Sequence, residues 1–432
     1  MLSARRTPST ESLRALDALN VFLADVRDGL GPYLAIYLTL RHWDPGHIGI
    51  AMSAMGIASV AAQTPAGALI DRTRSKRAAI VGAAIAVAVG SVAMVIHPTF
   101  PTILGAQVLM GLASAVFAPA IAAISLGLVG HAALSRRTGR NEAFNHAGNV
   151  VAALLAMGIG DYIAYEGIFY LLAAMCLATI VSVGFIRPGE IDHDLARGAD
   201  VAIGPDEEIA GKRPPRIASL GELLRDRRIA IFSASVVLFH FANAAMLPLA
   251  GQKVSHGHPE GAAGAMSACI IAAQLVMVPV ALLSSRLAVS WGRRPVFLIG
   301  FVILPIRGFL YTTTANPHAM VAIQLLDGIG AGIFGVVGTL VIADLTHGTG
   351  RFNLMQGALA TATGIGASAS NLMTGYVVRS GGYDAGFLVL AAIAALALAF
   401  FGLAMPETRP EIATATDETK SPASALAIDR VS

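Results

Sequence analysis

Read for its apolar and polar positions, the chain is a succession of long hydrophobic stretches divided by short polar gaps. Twelve stretches stand out, at about 14–40, 47–71, 77–97, 101–129, 140–163, 165–186, 227–250, 261–287, 294–314, 317–345, 351–378 and 382–405. A run of about 20 apolar residues is long enough to cross the ~30 Å hydrocarbon layer as a helix. A helix also satisfies its own backbone polar groups, which lipid cannot do. The pattern therefore predicts an all-α polytopic membrane protein with twelve transmembrane helices, numbered here as spans 1 to 12.

The gaps carry a second pattern. Twenty-five of the 30 Lys and Arg residues fall at the N-terminus, in the even-numbered gaps and at the C-terminus. The odd-numbered gaps hold Arg41, Lys253 and Arg379, and Arg27 and Arg307 lie within spans. Positive residues collect on the cytoplasmic side of membrane proteins, so both termini are expected inside a bacterial inner (plasma) membrane. Composition agrees: 13% of residues are charged and 55% hydrophobic, against roughly 25% charged in soluble domains. The net charge of +3 does not point to nucleic acid, because the basic residues flank spans instead of forming one patch. Cys176 and Cys269 both fall inside apolar spans and are expected to be small buried side chains.

Composition divides the chain into five parts. Residues 1–13 read as a cytoplasmic N-terminal segment and 14–186 as a first six-helix lobe. Residues 187–226, rich in Pro, Gly and charge, read as a cytoplasmic linker with a short helix near its end. Residues 227–405 form a second six-helix lobe, and 406–432 a disordered cytoplasmic tail. The two lobes repeat one another at an offset of about 217. Gln107, Gly111 and Phe117 match Gln324, Gly328 and Phe334, Arg77 matches Arg294, and Thr-Gly-Arg opens both span 5 and span 11. Two pseudo-symmetric six-helix lobes are a common construction in secondary transporters.

After span 2 the chain reads GALIDRTRSKR, from Gly67 to Arg77. This resembles the G-x-L-x-D-R-x-G-R-R/K signature of the major facilitator superfamily, and it lies where that family carries it. Arg74 stands where Gly is common and Ser75 where a basic residue is usual. The second-half copy, SRLAVSWGRRP, has Ala288 in place of the acid. The resemblance implies two lobes that rock around a central cavity. It also implies a cytoplasmic gate in which Asp71 meets the N-terminal end of span 11, near Arg351. Gly67 would admit a close helix neighbour. Arg72 and Arg77 can pair with acids across the lobe interface.

Ionisable groups inside a membrane span are candidates for function, because burying charge in lipid is costly. Span 1 contains ADVRDGLGPYL. Asp25 and Asp28 share a face near the midplane, with Arg27 between them and Gly29, Gly31 and Pro32 beyond, where a helix kinks. A carboxylate there suits proton uptake and release. Asn145, His146 and Asn149 in span 5, and His240 and Asn243 in span 7, are expected to line the same cavity. Arg307 in span 9 and Asp327 in span 10 lie at similar depth and are expected to form a buried structural ion pair. No metal site is apparent from spacing.

Two subfamily marks are missing. Leu104 stands where many proton-coupled members have Arg, and span 5 reads GNVVAALLAMGIG where drug exporters often carry G-x-x-x-G-P-x-x-G-G. No phosphate-binding G-x-x-x-x-G-K-[ST] loop occurs. The expectation is a monomeric secondary transporter, not an enzyme and without a cofactor. Its partners would be a small organic solute, protons and the lipid bilayer, with no nucleic acid. Proton-coupled efflux, as by an antiporter, leads. A proton-linked importer or facilitator of a polar metabolite is the alternative, and a non-transporting sensor a third reading.

Overall fold

The structure is a computed structural model that describes residues 8–28, 30–193, 195–197, 225–346 and 352–409. Within these, the side chains of Asp25, Arg27, Asp28, Asp71, His131, Ala132, Ser135 and residues 352–354 are not described. The described residues form helices and short turns, with no strand among them.

Nine described helices are long and apolar enough to cross a membrane, and the last of them, Met355–Ala404, holds two crossings. It folds back at Gly382, whose φ of 78° is open to glycine and strained for other residues. Gly130, at φ 74°, makes the same kind of turn between spans 4 and 5, Phe100–Gly130 and Arg136–Tyr162. Spans 1 and 9 complete the twelve. Span 9, Arg293–Leu310, carries three arginines. Span 1 is not the single helix expected: it runs Thr10–Asp28, breaks, and resumes as Gly31–Leu40. Leu30 sits in the break with φ 69°, and Pro32 removes a backbone donor just beyond.

Span 7 is interrupted as well, though not at a left-handed residue: Ala244 and Ala245 keep right-handed helical dihedrals, and the Ala245 N–H donates to the Ser370 hydroxyl at 3.1 Å. It runs Arg227–Asn243 and Met246–Gly257, so its break falls about one repeat length after that of span 1. The two lobes match in packing as well. A Cβ on Gly111 in span 4 would strike the Met55 carbonyl of span 2, and one on Gly328 in span 10 would strike the Ala273 carbonyl of span 8. Arg77 donates to the Gly184 carbonyl at the end of span 6, and Arg294 to the Gly402 carbonyl at the end of span 12. Those last carbonyls have no intrahelical donor, which explains the arginine at both places.

Each lobe has its own apolar core. One is centred on Leu16, Phe117 and Phe169, the other on Phe232, Phe297 and Phe401. Ala262, Ala263 and Met266, at the start of span 8, belong to the core of the first lobe. The tail is not wholly loose: Glu407 and Arg409 bind the turn between spans 8 and 9. The linker opens with turns at Pro188–Glu190 and Leu195–Arg197. Its middle, with the short helix expected near its end, lies outside the described residues, as does the tail beyond 409.

Candidate functional site

The ends of the bundle differ chemically. The basic end carries Arg72, Arg77, Arg137, Arg187 and Arg293. The far end carries the turn between spans 1 and 2. At the far end the lobes are in close contact. Gly49 and Gly375 face each other: a Cβ on Gly49 would lie 2.7 Å from the Asn371 carbonyl, and one on Gly375 2.6 Å from the Pro45 carbonyl. Arg379 Nε lies 3.2 Å from Asp44 Oδ2 across the interface. The far halves of spans 1 and 7 also pack together. A Cβ on Gly251 would come within 3.0 Å of Ile36, and the Tyr33 and Ser267 hydroxyls are 2.8 Å apart.

Towards the middle the interlobe contacts turn polar. Ser53 donates to the Ser368 carbonyl at 2.9 Å. His146 Nδ1 lies 3.0 Å from Gln274 Oε1. Thr361 donates to Gln63 Oε1 at 3.1 Å. Among the described residues, Gln63–Thr361 is the interlobe hydrogen bond closest to the basic end. It sits nine residues short of Arg72, the end of span 2, or about 14 Å along the helix.

The residues expected in the cavity meet different fates. Asp25, Arg27 and Asp28 occupy the last turn before the break in span 1; their side chains lie outside the described residues. His146 faces the opposite lobe through Gln274, and Asn145 and Asn149 are half-buried on the same helix. His240 packs between aromatic rings, with centroids 5.4 Å from Phe239 and 4.7 Å from Phe334. Its Nε2 is buried without a hydrogen-bond partner among the described residues. Asn243 turns away from it, towards span 9.

Asn243 belongs to a network around Arg307. The guanidinium donates to Asp327 Oδ1 and, at 2.6 Å, to Asn243 Oδ1, while its Nε reaches Met246 Sδ at 3.4 Å. Gln324 donates to the other oxygen of Asp327 at 2.9 Å and accepts from the Tyr311 hydroxyl. Arg307 therefore ties span 10 to both sides of the break in span 7. Sequence spacing pairs Arg307 with Asp327. It does not foretell Asn243, which is 64 residues away, because only the fold brings span 7 beside span 9.

The stretch after span 2 differs from its expectation at two residues. Gly67 has open space around a built Cβ, with no described atom within 4 Å, so no described helix approaches it closely here. Arg77 does not reach across the interface. Its Nε donates to the Val183 carbonyl at 3.0 Å and its Nη2 to Gly184 at 3.0 Å, inside its own lobe. Carbonyls at the end of span 6 are the nearer acceptors. Arg72 is exposed; the Asp71 side chain and Arg351 lie outside the described residues.

One charged cluster escaped the reading by spans. Asp17, near the start of span 1, accepts from Arg137 and, at 2.6 Å, from Arg140 of span 5. Arg137 also donates to Asn141 at 2.7 Å, which holds Ser125 at 2.9 Å. Counted only as orientation charges, these arginines also clamp spans 1, 4 and 5 together. The signal was the lone acid in the first turns of a hydrophobic span, where an unpaired charge would be costly.

Comparison with known proteins places this architecture. A family model described as Major Facilitator Superfamily matches residues 18–289 and 263–431. Two relatives in Mycobacterium tuberculosis, from strains CDC 1551 / Oshkosh and ATCC 25618 / H37Rv, are each described as an uncharacterized MFS-type transporter. Each is 51% identical over 397 residues, covering 91% of this chain and 93% of the relative. A solved structure of a mutant of the nucleoside transporter NupG superposes with a TM-score of 0.73 at 16% identity, over 90% of this chain and 99% of its own. A POT family transporter in complex with a thioalcohol conjugated peptide superposes with a TM-score of 0.70 at 13% identity, over 90% and 94%. With twelve spans in two matched lobes and a family match along nearly its whole length, the chain belongs to the major facilitator superfamily of membrane transporters.

Proposed function

We propose that this chain exports a small organic solute in exchange for protons, by alternating access, as a monomer in a bacterial inner membrane with its basic end and both termini in the cytoplasm. The observation that carries the reading is the contact between the far halves of spans 1 and 7. Both spans are interrupted at repeat-matched places, span 1 at Leu30 and span 7 at Ala244 and Ala245, and beyond the interruptions they seal against each other across the lobe interface. Polar side chains of both lobes, His146 with Gln274 and Gln63 with Thr361, lie below that seal. Discontinuous helices commonly form the solute and ion sites of secondary transporters.

In this scheme solute reaches the midplane from the basic end. Parting of the two far halves then opens the opposite side, while Asp71 and Arg72 at the end of span 2 close the basic end. Asp25 and Asp28 sit at the helix end beside the break in span 1. A carboxylate there changes charge when it takes a proton, and so changes the cost of burying that helix end as the lobes rock.

Transport in right-side-out and inverted vesicles, with and without a pH gradient, tests the proposal. Gradient-driven movement should run outward with respect to the basic end. Asp25→Asn and Asp28→Asn should abolish accumulation and leave solute exchange in place; normal accumulation by the double variant would refute the proton role.

A second reading is proton-linked uptake or facilitation of a polar metabolite. It draws on the amide, imidazole and hydroxyl groups at the interface, and on the structural neighbours described as a nucleoside transporter and a peptide-bound POT family transporter. The same vesicles separate the readings by direction. A non-transporting sensor would move no solute in either orientation.

A further inference from the structure

At the basic end, between the start of span 3 and the end of span 6, the first lobe opens into a cavity of about 570 Å³. Its lining includes Arg74, Lys76 and Arg77 together with the apolar Val81, Ile180 and Ile191. Lys76 donates to the Thr73 carbonyl at 2.9 Å and Arg77 to the end of span 6, which leaves Arg74 as the exposed cation. The nearby Asp192 carboxylate is engaged by the Leu195 N–H at 3.0 Å.

The second lobe shows what such a corner holds. At the start of span 9 the Glu407 carboxylate accepts the Arg293 N–H at 2.8 Å and the Arg294 N–H at 3.1 Å. Residues 293 and 294 match 76 and 77 at the repeat offset, and Arg77 and Arg294 cap the neighbouring span in the same way. The acid that follows span 6 goes elsewhere. Glu190 accepts from the Ser9 N–H at 3.0 Å and the Ser9 hydroxyl at 2.9 Å, at the start of span 1. Among the described residues, the second lobe places its own carboxylate at this corner, and the first lobe shows there a cavity lined by Arg74 and apolar side chains.

We propose that this cavity binds the phosphate of an anionic glycerophospholipid from the surrounding leaflet. The exposed Arg74 guanidinium suits bidentate pairing with phosphate. Val81, Ile180 and Ile191 receive the glycerol and the first acyl methylenes. The same two spans expose Ile85, Val181 and Phe185 at 49%, 52% and 57%, which makes the cavity's surroundings a lipid-facing surface. Basic pockets between spans at the cytoplasmic side are a recurring site for anionic headgroups. The apolar lining favours a lipid over a soluble phosphate. Bound there, the lipid braces the loop that follows Asp71 and Arg72 against the end of span 6.

Native mass spectrometry of the delipidated protein, titrated with phosphatidylglycerol or phosphatidylcholine, tests this. Phosphatidylglycerol should be retained about tenfold more tightly, and Arg74→Gln should remove about tenfold of that retention. Val81→Trp, which changes the apolar lining instead, should block it independently. Each variant is judged at wild-type elution and thermal midpoint in phosphatidylcholine, so one misfolded variant leaves the other to decide. Glycerol 3-phosphate should give no thermal shift. Equal retention of the two lipids, unchanged retention in the folded variants, or an equal shift with glycerol 3-phosphate overturns the proposal.

Discussion

Arg307 shows how much one buried side chain organises. It is 1% exposed, and its donors reach an acid, an amide and a thioether on two other spans. Removing one partner of a buried pair leaves the other charged and alone, at a cost of about 3–5 kcal/mol. Arg307→Ala and Asp327→Ala should each cost stability of that order, read as a lower thermal midpoint in detergent, and the double variant should recover part of the loss. Strictly additive losses would remove the pairing. If Asp327 instead contacts solute, Asp327→Asn would spare stability and lose transport. Asn243→Ala should cost less, about 1–3 kcal/mol, because only a neutral acceptor is lost.

Caps and close approaches hold the helices in place. Burial pushes the Glu407 carboxyl up, but the backbone N–H groups of Arg409, Arg293, Arg294 and Thr408 outweigh it and hold the group below its usual 4.5. A carboxyl lowered on folding adds stability above its unfolded value and loses it as pH falls through its folded value. The thermal midpoint of the wild type should therefore exceed that of Glu407→Gln at neutral pH. The difference should shrink as pH falls below 4.5. A constant difference across that range would show that the carboxylate charge is not what holds the start of span 9. Glycines divide by what they touch. Gly111 meets Met55 of its own lobe, so Gly111→Val should lower stability. Gly49 meets Gly375 of the opposite lobe, so Gly49→Val should leave each lobe intact and push the far ends apart. Cysteine accessibility at the far end should rise in Gly49→Val and stay unchanged in Gly111→Val.

The whole molecule is two lobes whose balance is set at their ends. The Asp44–Arg379 pair is partly exposed, at 32% and 59% for the two side chains, and such pairs are worth about 0–1 kcal/mol. Arg379→Ala should shift the balance towards a far-open form by less than about fivefold, well short of Gly49→Val, where backbone meets backbone. In the proposed cycle Asp71 acts in the opposite conformation. Asp71→Asn should slow transport with little loss of protein in the membrane and raise cysteine accessibility at the basic end. Wild-type turnover with unchanged accessibility would count against a gate there.

The twelve spans and the repeat at about 217, with Arg77 matching Arg294, were legible in the chain itself. Hydrophobic length and charge alternation are properties of local sequence, and helices in lipid have little choice but to obey them. The pairing of Arg307 with Asp327 was legible for the same reason: two lone charges at one depth in consecutive spans. The break in span 1 was half legible, since the glycines and proline marked a kink but not the turn at Leu30. What the sequence could not determine is which side chains meet across long separations. Asn243 joins Arg307, Asp17 joins Arg137 and Arg140, Gly49 meets Gly375, and Arg77 caps span 6 instead of crossing the interface. Each of these depends on which helix faces are brought together, and that is decided by packing between spans, which no local pattern records.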